Sequence, residues 1–253
     1  MKKVISLGWG VQSFTMATMV ALGELEPIDL AIFADTTYES KWTYNIMAKW
    51  KPWLNEHGVR TITVRAKHNE VIDSEHKGVH LPVYAKAPDG NVGKWRRQCT
   101  DDWKITPIKN YLRSEGWHTT ARGGIELWLG ITMDEFQRMK DSRTDYITHR
   151  WPLIEKKMTR DDCEKWLTDN GFDVPMKSSC YFCPFHTIRY WKELRDANNG
   201  DWEKAVTFDN KIRDLREPDR LFLNGACESI EDLANRNSKD IPIDDCDSGF
   251  CFI

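Results

Sequence analysis

The sequence lacks several features that would place it in a broad class at once. It has no apolar run long enough to cross a bilayer, which takes about 20 residues, and no signal-peptide pattern follows Met1. Positive charge is not in excess, because 36 Lys and Arg stand against 39 Asp and Glu, giving a net charge of -3. We therefore expect a cytoplasmic protein with no membrane partner. Nucleic-acid binding through bulk positive charge is excluded, while a local basic groove stays open.

The composition is that of a soluble globular chain. Of 253 residues, 40% are hydrophobic and 30% charged, which suits one large domain or a domain with a small appendage. Apolar runs alternate with helical patterns in the first half. The predicted strands are 3–7, 29–34, 60–65 and 126–131, and the predicted helices are 13–22, 40–57, 101–114, 159–170, 189–198 and 202–215.

This alternation predicts an α/β fold, a parallel sheet flanked by helices. Sheets of this kind bind ligands at the carboxyl ends of their strands. We expect an α/β domain over residues 1–155, with an insertion around 66–103. A helical region over residues 156–253 is expected to carry a CxxC pair and a cysteine-containing tail.

The segment that joins the first predicted strand to the first helix, residues 6–13, is the first candidate binding site. Gly8 and Gly10 would let backbone N–H groups approach an anion, and the helix N-terminus adds partial positive charge. Ser13 offers a hydroxyl donor. The segment lacks the Gly-Lys-Ser/Thr ending of a Walker loop, and a tight turn without a ligand is an equal alternative.

The second candidate is Asp35-Thr36, which follows the next predicted strand and so falls on the same edge of the sheet. A carboxylate there would meet a ribose hydroxyl or a metal-bound nucleotide. The alternative is a cap for the following helix. Because Asp35 is expected near the glycine loop of residues 6–13, we favour the binding role over the capping role.

Together these residues resemble the PP-loop (adenine nucleotide alpha hydrolase-like) superfamily, specifically its phosphoadenosine phosphosulfate (PAPS) reductase branch. Residues 9–12, Trp-Gly-Val-Gln, are similar to a reductase loop that often reads Phe-Gly-Ile-Gln, and residues 33–38 are similar to an Asp-Thr-Gly-Tyr segment. Residues 130–143 fall where the reductases carry a substrate segment, and 151–171 match a Pro-Leu-Ile, helix and glycine block. The resemblance runs from about Val4 to about His186.

The resemblance implies an adenine nucleotide, ATP or an adenylyl compound, with or without Mg²⁺. The implied nucleotide-binding residues are Ser6, Gly8, Trp9, Gly10, Gln12, Ser13, Asp35 and Thr36. The implied substrate-binding residues are Arg97, Lys104, Arg138 and Arg143. Basic clusters at 94–97 and 138–150 would suit an anionic substrate, small or polymeric; a solvated charged face is the alternative.

The seven cysteines carry a further signal, because disulfides are unusual in a reducing cytoplasm. Cys180 and Cys183 form a CxxC pair, which serves as metal ligands or as a redox dithiol. Cys99 matches the first of two adjacent cysteines that bind a four-iron, four-sulfur (4Fe–4S) cluster in the assimilatory adenosine phosphosulfate reductases. The resemblance therefore implies a 4Fe–4S cluster on Cys99, Cys180 and Cys183. Zinc, or reduced cysteines without metal, are the alternatives.

The tail offers Cys246 as the fourth ligand, with Cys251 or Cys227 as alternatives, and Cys251 as a nucleophile. The Glu-Cys-Gly-Leu-His tail of the reductases is missing, and tail cysteines without a role are nearly as well supported.

Three functions follow from the resemblance. The favoured one is an enzyme in which ATP adenylates a nucleic acid or nucleotide and sulfur then replaces the activated oxygen, as in the DNA phosphorothioation sulfurtransferases. It would need a partner protein that donates sulfur. The second is reduction of an adenylyl sulfate to sulfite with an electron donor. The third, motivated by Gln12 in place of the superfamily's Asp, is a nucleotide-binding regulatory module with a cluster and no catalysis.

Overall fold

The computed structural model describes residues 1–73, 78–118 and 124–236. These residues form two compact units. Unit 1 contains Met1–Ala66 and Trp103–Ser178, and unit 2 contains Lys67–Asp102 and the described residues from Ser179 onward. Each unit is assembled from two separate stretches, whereas the predicted domains are continuous.

Unit 1 is built on a five-stranded parallel sheet. Its strands are β1 (Lys2–Ser6), β2 (Leu30–Ala34), β3 (Thr61–Val64), β8 (Ile125–Trp128) and β9 (Ile147–Arg150), in the spatial order β3-β2-β1-β8-β9. Every neighbouring pair is parallel. The predicted α/β fold with a parallel sheet is confirmed.

Helices cover both faces of this sheet. They are α1 (Val11–Ala21), α2 (Lys41–Glu56), α3 (Thr106–Ser114), α4 (Pro152–Glu155) and α5 (Arg160–Asp169). Alternate residues of β2 enter different cores: Phe33 packs in one with residues of α1, α2 and α5, and Ile32 packs in the other with Leu112 of α3. This two-sided burial explains why β2 is an unbroken apolar run rather than an alternating one.

Unit 2 combines small antiparallel sheets with helices. One sheet has the order β10 (Arg220–Phe222), β6 (Tyr84–Lys86), β7 (Val92–Lys94), and the other pairs β4 (Ile72–Asp73) with β5 (Gly78–Val79). The helices are α6 (Ile188–Asp196), α7 (Asp201–Ile212) and α8 (Ile230–Asn235). The predicted helical, cysteine-bearing region towards the C-terminus is therefore present.

Several elements were not predicted, among them α4, α8 and the short strands of unit 2. Two further differences have a clear physical reason. The strand β9, Ile-Thr-His-Arg, was not predicted, because it lies at the sheet edge and only Ile147 is buried. The predicted helix over 101–114 begins as a π-helical turn, Asp101–Ile105, and becomes α-helical at Thr106, with Pro107 in the first turn. Proline is tolerated there because its missing N–H would have no intrahelical partner. Among the described residues, no helix is long and apolar enough to cross a membrane.

The start of α5 carries a capping box. The Thr159 hydroxyl accepts a hydrogen bond from the Asp162 N–H, and the Asp162 carboxylate accepts one from the Thr159 N–H. We expect Thr159→Ala to lower the free energy of unfolding by about 1 kcal/mol, measured by urea denaturation. The control is Thr168→Ala in the same helix, whose hydroxyl bonds back to the Glu164 carbonyl and caps nothing. Equal losses in the two variants would contradict the capping role.

Candidate functional site

The strand order of unit 1 reverses direction at β1, which makes β1 the switch point of the sheet. The chain passes from β1 to β2 and β3 on one side of the sheet, and then to β8 and β9 on the other. Loops that leave neighbouring strands in opposite directions separate at such a switch point, and ligands of open α/β sheets bind there, outside the carboxyl ends of the strands. The loops after β1 and β8 meet at this edge.

The β1–α1 loop is held in shape by its own residues. Trp9 has a positive φ of 60°, is buried, and packs its ring 6.1 Å from that of Phe14. The Ser13 hydroxyl accepts from the Gly8 N–H at 3.1 Å and donates to the Gly10 carbonyl at 3.3 Å. The Trp9 side chain therefore belongs to the core, and the Ser13 hydroxyl closes the loop. Ser6, the last residue of β1, is also buried.

The N-terminus of α1 is left uncapped. Its N-cap residue is Gly10, no side chain bonds to the first turn, and that turn contains no acidic residue. The first helical hydrogen bond runs from the Phe14 N–H to the Gly10 carbonyl. Helices α5, α6 and α8 each have a Thr or Ser cap, whereas α2, α3, α4 and α7 lack a side-chain cap as α1 does. The N–H groups of Val11, Gln12 and Ser13 have no acceptor within the helix and can donate to an external acceptor. The helix dipole adds partial positive charge at the same place.

Gly130, after β8, comes very close to this first turn. A Cβ atom built at position 130 would lie 2.9 Å from the Ser13 nitrogen and 3.1 Å from the Gln12 Cβ. A side chain there would collide with the backbone of α1. Glycine at 130 thus allows the β8 loop to approach the donors of the β1–α1 loop, a role that is not evident in the sequence alone.

Asp35 is fully engaged by neighbouring groups. One oxygen accepts from the Thr37 N–H at 2.8 Å and the Tyr44 hydroxyl at 2.7 Å, and the other accepts from the Nε and a terminal nitrogen of Arg65 at 2.8 and 2.7 Å. A carboxylate has about four acceptor positions, and all are used. A ribose hydroxyl or a metal would have to displace one of these donors. Burial and the hydrogen bond to Asp35 raise the pKa of Tyr44.

Thr36 and Lys104 meet at Glu39. The Thr36 hydroxyl donates to Glu39 at 3.3 Å and accepts from the Tyr38 N–H at 3.2 Å. The Lys104 ammonium lies 3.1 Å from the same Glu39 carboxylate, and both side chains are largely buried. Lys104, predicted to bind substrate, thus has a buried counter-ion that the sequence analysis did not identify.

Gln12 and Arg138 meet at Glu135. The Arg138 guanidinium lies 2.7 Å from Oε2 of Glu135, and the Gln12 amide donates to that same oxygen at 3.5 Å. Arg138 and Glu135 lie in a 3-10 segment, Met133–Arg138, and both are buried. The structure thus joins a predicted nucleotide-binding residue to a predicted substrate-binding residue through a carboxylate that was missed. Arg143, the other predicted substrate residue of this segment, is exposed.

The predicted metal ligands Cys99, Cys180 and Cys183 all lie in unit 2. The Cys183 N–H donates to the Cys180 carbonyl at 3.0 Å, so the CxxC pair lies on one tight turn. His186 donates to the same carbonyl at 2.8 Å and stacks on Tyr190 at 3.7 Å, as a packed polar residue would. Within the described ranges, no three His, Cys, Asp or Glu side chains are arranged to hold a metal ion. Cys246 and Cys251 lie outside those ranges.

Arg97 lies in unit 2 beside aromatic rings. Its guanidinium carbon is 5.1 Å from the centroid of Phe185, and Lys94 lies 4.1 Å from the same centroid. Arg216 lies 5.3 Å from the centroid of Trp95. The basic cluster of residues 94–97 therefore lies with aromatic rings, at the exposed strand β7 and the segment that follows it.

Two cysteines differ from the others in their burial. Cys163 is fully buried in the core against α1, and burial raises the pKa of its thiol to about 12. Cys227 is buried as well, and its pKa is also raised by burial. Cys99, Cys180 and Cys183 are half-buried.

Alkylation of the native protein tests this difference. In protein treated with reductant and chelator at pH 8, we expect iodoacetamide to leave Cys163 unmodified, because both access and thiolate formation are blocked. Cys99, Cys180 and Cys183 serve as internal controls and should be modified. Peptide mass spectrometry that finds Cys163 labelled as fast as Cys99 in folded protein would contradict the packing described for α5.

Comparison with known proteins finds similar solved structures, among them one PAPS reductase. No family model and no curated protein matches the sequence. The crystal structure of phosphoadenylyl-sulfate (PAPS) reductase from Candida auris, a phosphate complex, has a TM-score of 0.44 and 12% sequence identity, covering 69% of this chain and 75% of that chain. At this identity the likeness concerns the fold.

Proposed function

We propose that this protein is an adenine-nucleotide-binding enzyme whose β1–α1 loop binds the phosphate groups. The observation that carries the proposal is the uncapped N-terminus of α1 at the switch point of the sheet. Uncapped N–H groups and a helix dipole together favour an anion. Because the first turn holds no acidic residue and Gly10 brings no side chain, a phosphate group would meet donors rather than repulsion.

The residues of the loop divide into two roles in this proposal. The backbone N–H groups of Val11, Gln12 and Ser13 bind phosphate oxygens, while Trp9 and the Ser13 hydroxyl hold the loop in place through the contacts described above. Asp35 has a structural role in this proposal: its bonds to Arg65 and Tyr44 hold the end of β2 in place. It does not bind the nucleotide directly. Specificity for adenine is inferred from the motif resemblance.

For the reaction, we propose ATP-dependent adenylation followed by sulfur transfer. An acceptor oxygen would attack the α-phosphorus of ATP and release pyrophosphate; a sulfur nucleophile would then displace AMP. Backbone donors at α1 suit the first step, since they neutralise the charge that develops on the phosphates. A nucleic acid acceptor is supported by the cations Lys94, Arg97 and Arg216 beside aromatic rings, a combination that binds single strands. Reduction of an adenylyl sulfate to sulfite is the second candidate, motivated by the reductase-like motifs.

We further propose that the cysteines of unit 2 bind a metal group, a 4Fe–4S cluster or zinc. The support is the residue type, the single turn that carries Cys180 and Cys183, and the presence of Cys99 in the same unit. The fit is incomplete, because the described residues supply no set of three ligands, and the remaining ligand would come from Cys246. No step of the reaction above is therefore assigned to this group. Cys251 as a nucleophile stays a prediction on the same terms.

Three assays on one preparation distinguish the functions. Purified protein is incubated separately with ATP and an oligonucleotide, and with an adenylyl sulfate and a thiol reductant. Pyrophosphate release from ATP supports sulfur transfer, whereas sulfite release supports reduction. Nucleotide binding without either product would support the third function, a regulatory module without catalysis. Absence of ATP and adenylyl sulfate binding by calorimetry would contradict the proposed function as a whole.

The glycine at 130 offers a test of the site itself. We expect Gly130→Ala to weaken ATP binding at least tenfold, because the added Cβ would press on the Ser13 nitrogen and displace the α1 donors. The matched control is Gly93→Ala on the exposed strand β7, where a Cβ meets nothing within 4 Å. Thermal unfolding of both variants separates lost binding from lost fold. Unchanged ATP affinity in folded Gly130→Ala protein would contradict the location of the site.

Anaerobic purification tests the metal proposal. A broad absorption band near 400 nm with about four irons per chain indicates the 4Fe–4S cluster, and we expect it to be lost in Cys180→Ala and Cys183→Ala. Cys163→Ala is the control and should keep its metal. Colourless protein with stoichiometric zinc would indicate a structural zinc site in place of the proposed cluster. Protein free of both metals would contradict the proposal.

A further inference from the structure

We propose that Glu135 is the internal counter-ion of Arg138, and that an anion bound at the N-terminus of α1 replaces Glu135 as the partner of that arginine. This inference rests on the proposed function and identifies a residue that controls its binding site. Glu135 would lower anion affinity in the empty state and reserve the site for a ligand with enough negative charge to compete. Pyrophosphate and the triphosphate of ATP have that charge.

The first observation is the state of Arg138. Its side chain is only 6% exposed and one terminal nitrogen contacts Glu135 at 2.7 Å. Its Nε is buried and has no hydrogen-bond partner among the residues that the structure describes. A buried guanidinium with an unused donor is unfavourable, so an additional acceptor would improve its surroundings. The Thr132 hydroxyl, on the same segment, is also buried without a partner.

The second observation connects Arg138 to α1. The same oxygen of Glu135 that contacts Arg138 also accepts the Gln12 amide at 3.5 Å, and Gln12 is the second residue of α1. The guanidinium therefore lies two polar contacts away from the first turn of the helix. Because Gly130 has no side chain, the loop after β8 can lie directly against Gln12 and Ser13.

The third observation is the strength of the bonds to Glu135. The Gln12 contact is at the upper limit of a hydrogen bond, so it contributes little. The backbone at Glu135 departs from helical geometry, with φ −119° and ψ 17°. The Glu135 side chain is thus held mainly by its ion pair with Arg138. An anion that binds Arg138 has to compete mainly with that ion pair.

A charge on Glu135 also acts directly on the anion. It lies within hydrogen-bond distance of a side chain in the first turn and therefore opposes a phosphate bound there. Replacement by Gln keeps the shape and an acceptor oxygen but removes the charge. Because water and Arg138 screen the Glu135 charge, we expect its removal to change affinity by about tenfold, well below the unscreened Coulomb value at contact distance. Glu135→Gln should therefore bind anions more tightly, although it should be less stable because Arg138 loses its counter-ion.

The test is calorimetric titration of the full chain with inorganic pyrophosphate and with ATP, both without Mg²⁺. We expect about tenfold tighter binding by Glu135→Gln and at least tenfold weaker binding by Arg138→Gln. In the Arg138→Gln background, Glu135→Gln should raise affinity by less than it does alone, because only the direct charge effect remains once the arginine is gone. Asp169→Asn, which removes a surface charge from the Lys165–Asp169 pair of α5, controls for net charge and should leave affinity unchanged.

The opposite signs of stability and affinity make the result decisive. Damage to the fold lowers both, so tighter binding by a less stable Glu135→Gln variant supports the counter-ion role. Equal or weaker binding in folded Glu135→Gln overturns it, while wild-type binding of pyrophosphate or ATP leaves the proposed function intact. If the wild type binds neither ligand, the proposed function fails as well.

A wild-type measurement covers the case in which Glu135→Gln does not fold. The Nε–H resonance of Arg138, identified by its loss in Arg138→Lys, should shift on pyrophosphate titration. A resonance that stays fixed while pyrophosphate binds would overturn the proposal.

Discussion

The parallel pairing of β1 with β2 on one side and β8 on the other is the constraint on which unit 1 depends. It brings the carboxyl ends of three strands to one edge and sends their loops in different directions. The uncapped start of α1, the engaged carboxylate of Asp35 and the close approach of Gly130 are all consequences of that arrangement.

Charge at this edge is organised in neutral pairs. Asp35 is matched by Arg65, Glu39 by Lys104, and Glu135 by Arg138. Buried charges need such partners because desolvation is costly. The first turn of α1 has no acidic residue and no side-chain cap among the described residues, and the same is true of α2. We propose that an anion complements the partial positive charge of the α1 turn, and the proposed function depends on that step.

The sequence predicted the elements whose burial leaves a clear pattern. The strands β1, β2, β3 and β8 and the long helices follow from apolar periodicity. The strand β9 was missed because its polar residues reflect an edge position, which depends on the rest of the sheet. The glycine loop was proposed as a phosphate site because the chemistry of such a site is local, and that role stays a prediction.

The missed residues share a different cause. Tyr44, Arg65, Glu135 and Gly130 act through contacts with residues far away in the chain, so no local pattern signals them. Asp35 illustrates the limit: the sequence shows a carboxylate at a strand end, but only the structure shows that its acceptor positions are already used.

The central claim is that the backbone of α1's first turn binds phosphate, and amide NMR tests it most directly. In ¹⁵N-labelled full-length protein titrated with pyrophosphate, the N–H resonances of Val11, Gln12 and Ser13 should shift downfield and saturate together. Those of the capped helix α5 should stay fixed. Saturable binding that leaves the α1 resonances unmoved, or no binding at all, would contradict the account.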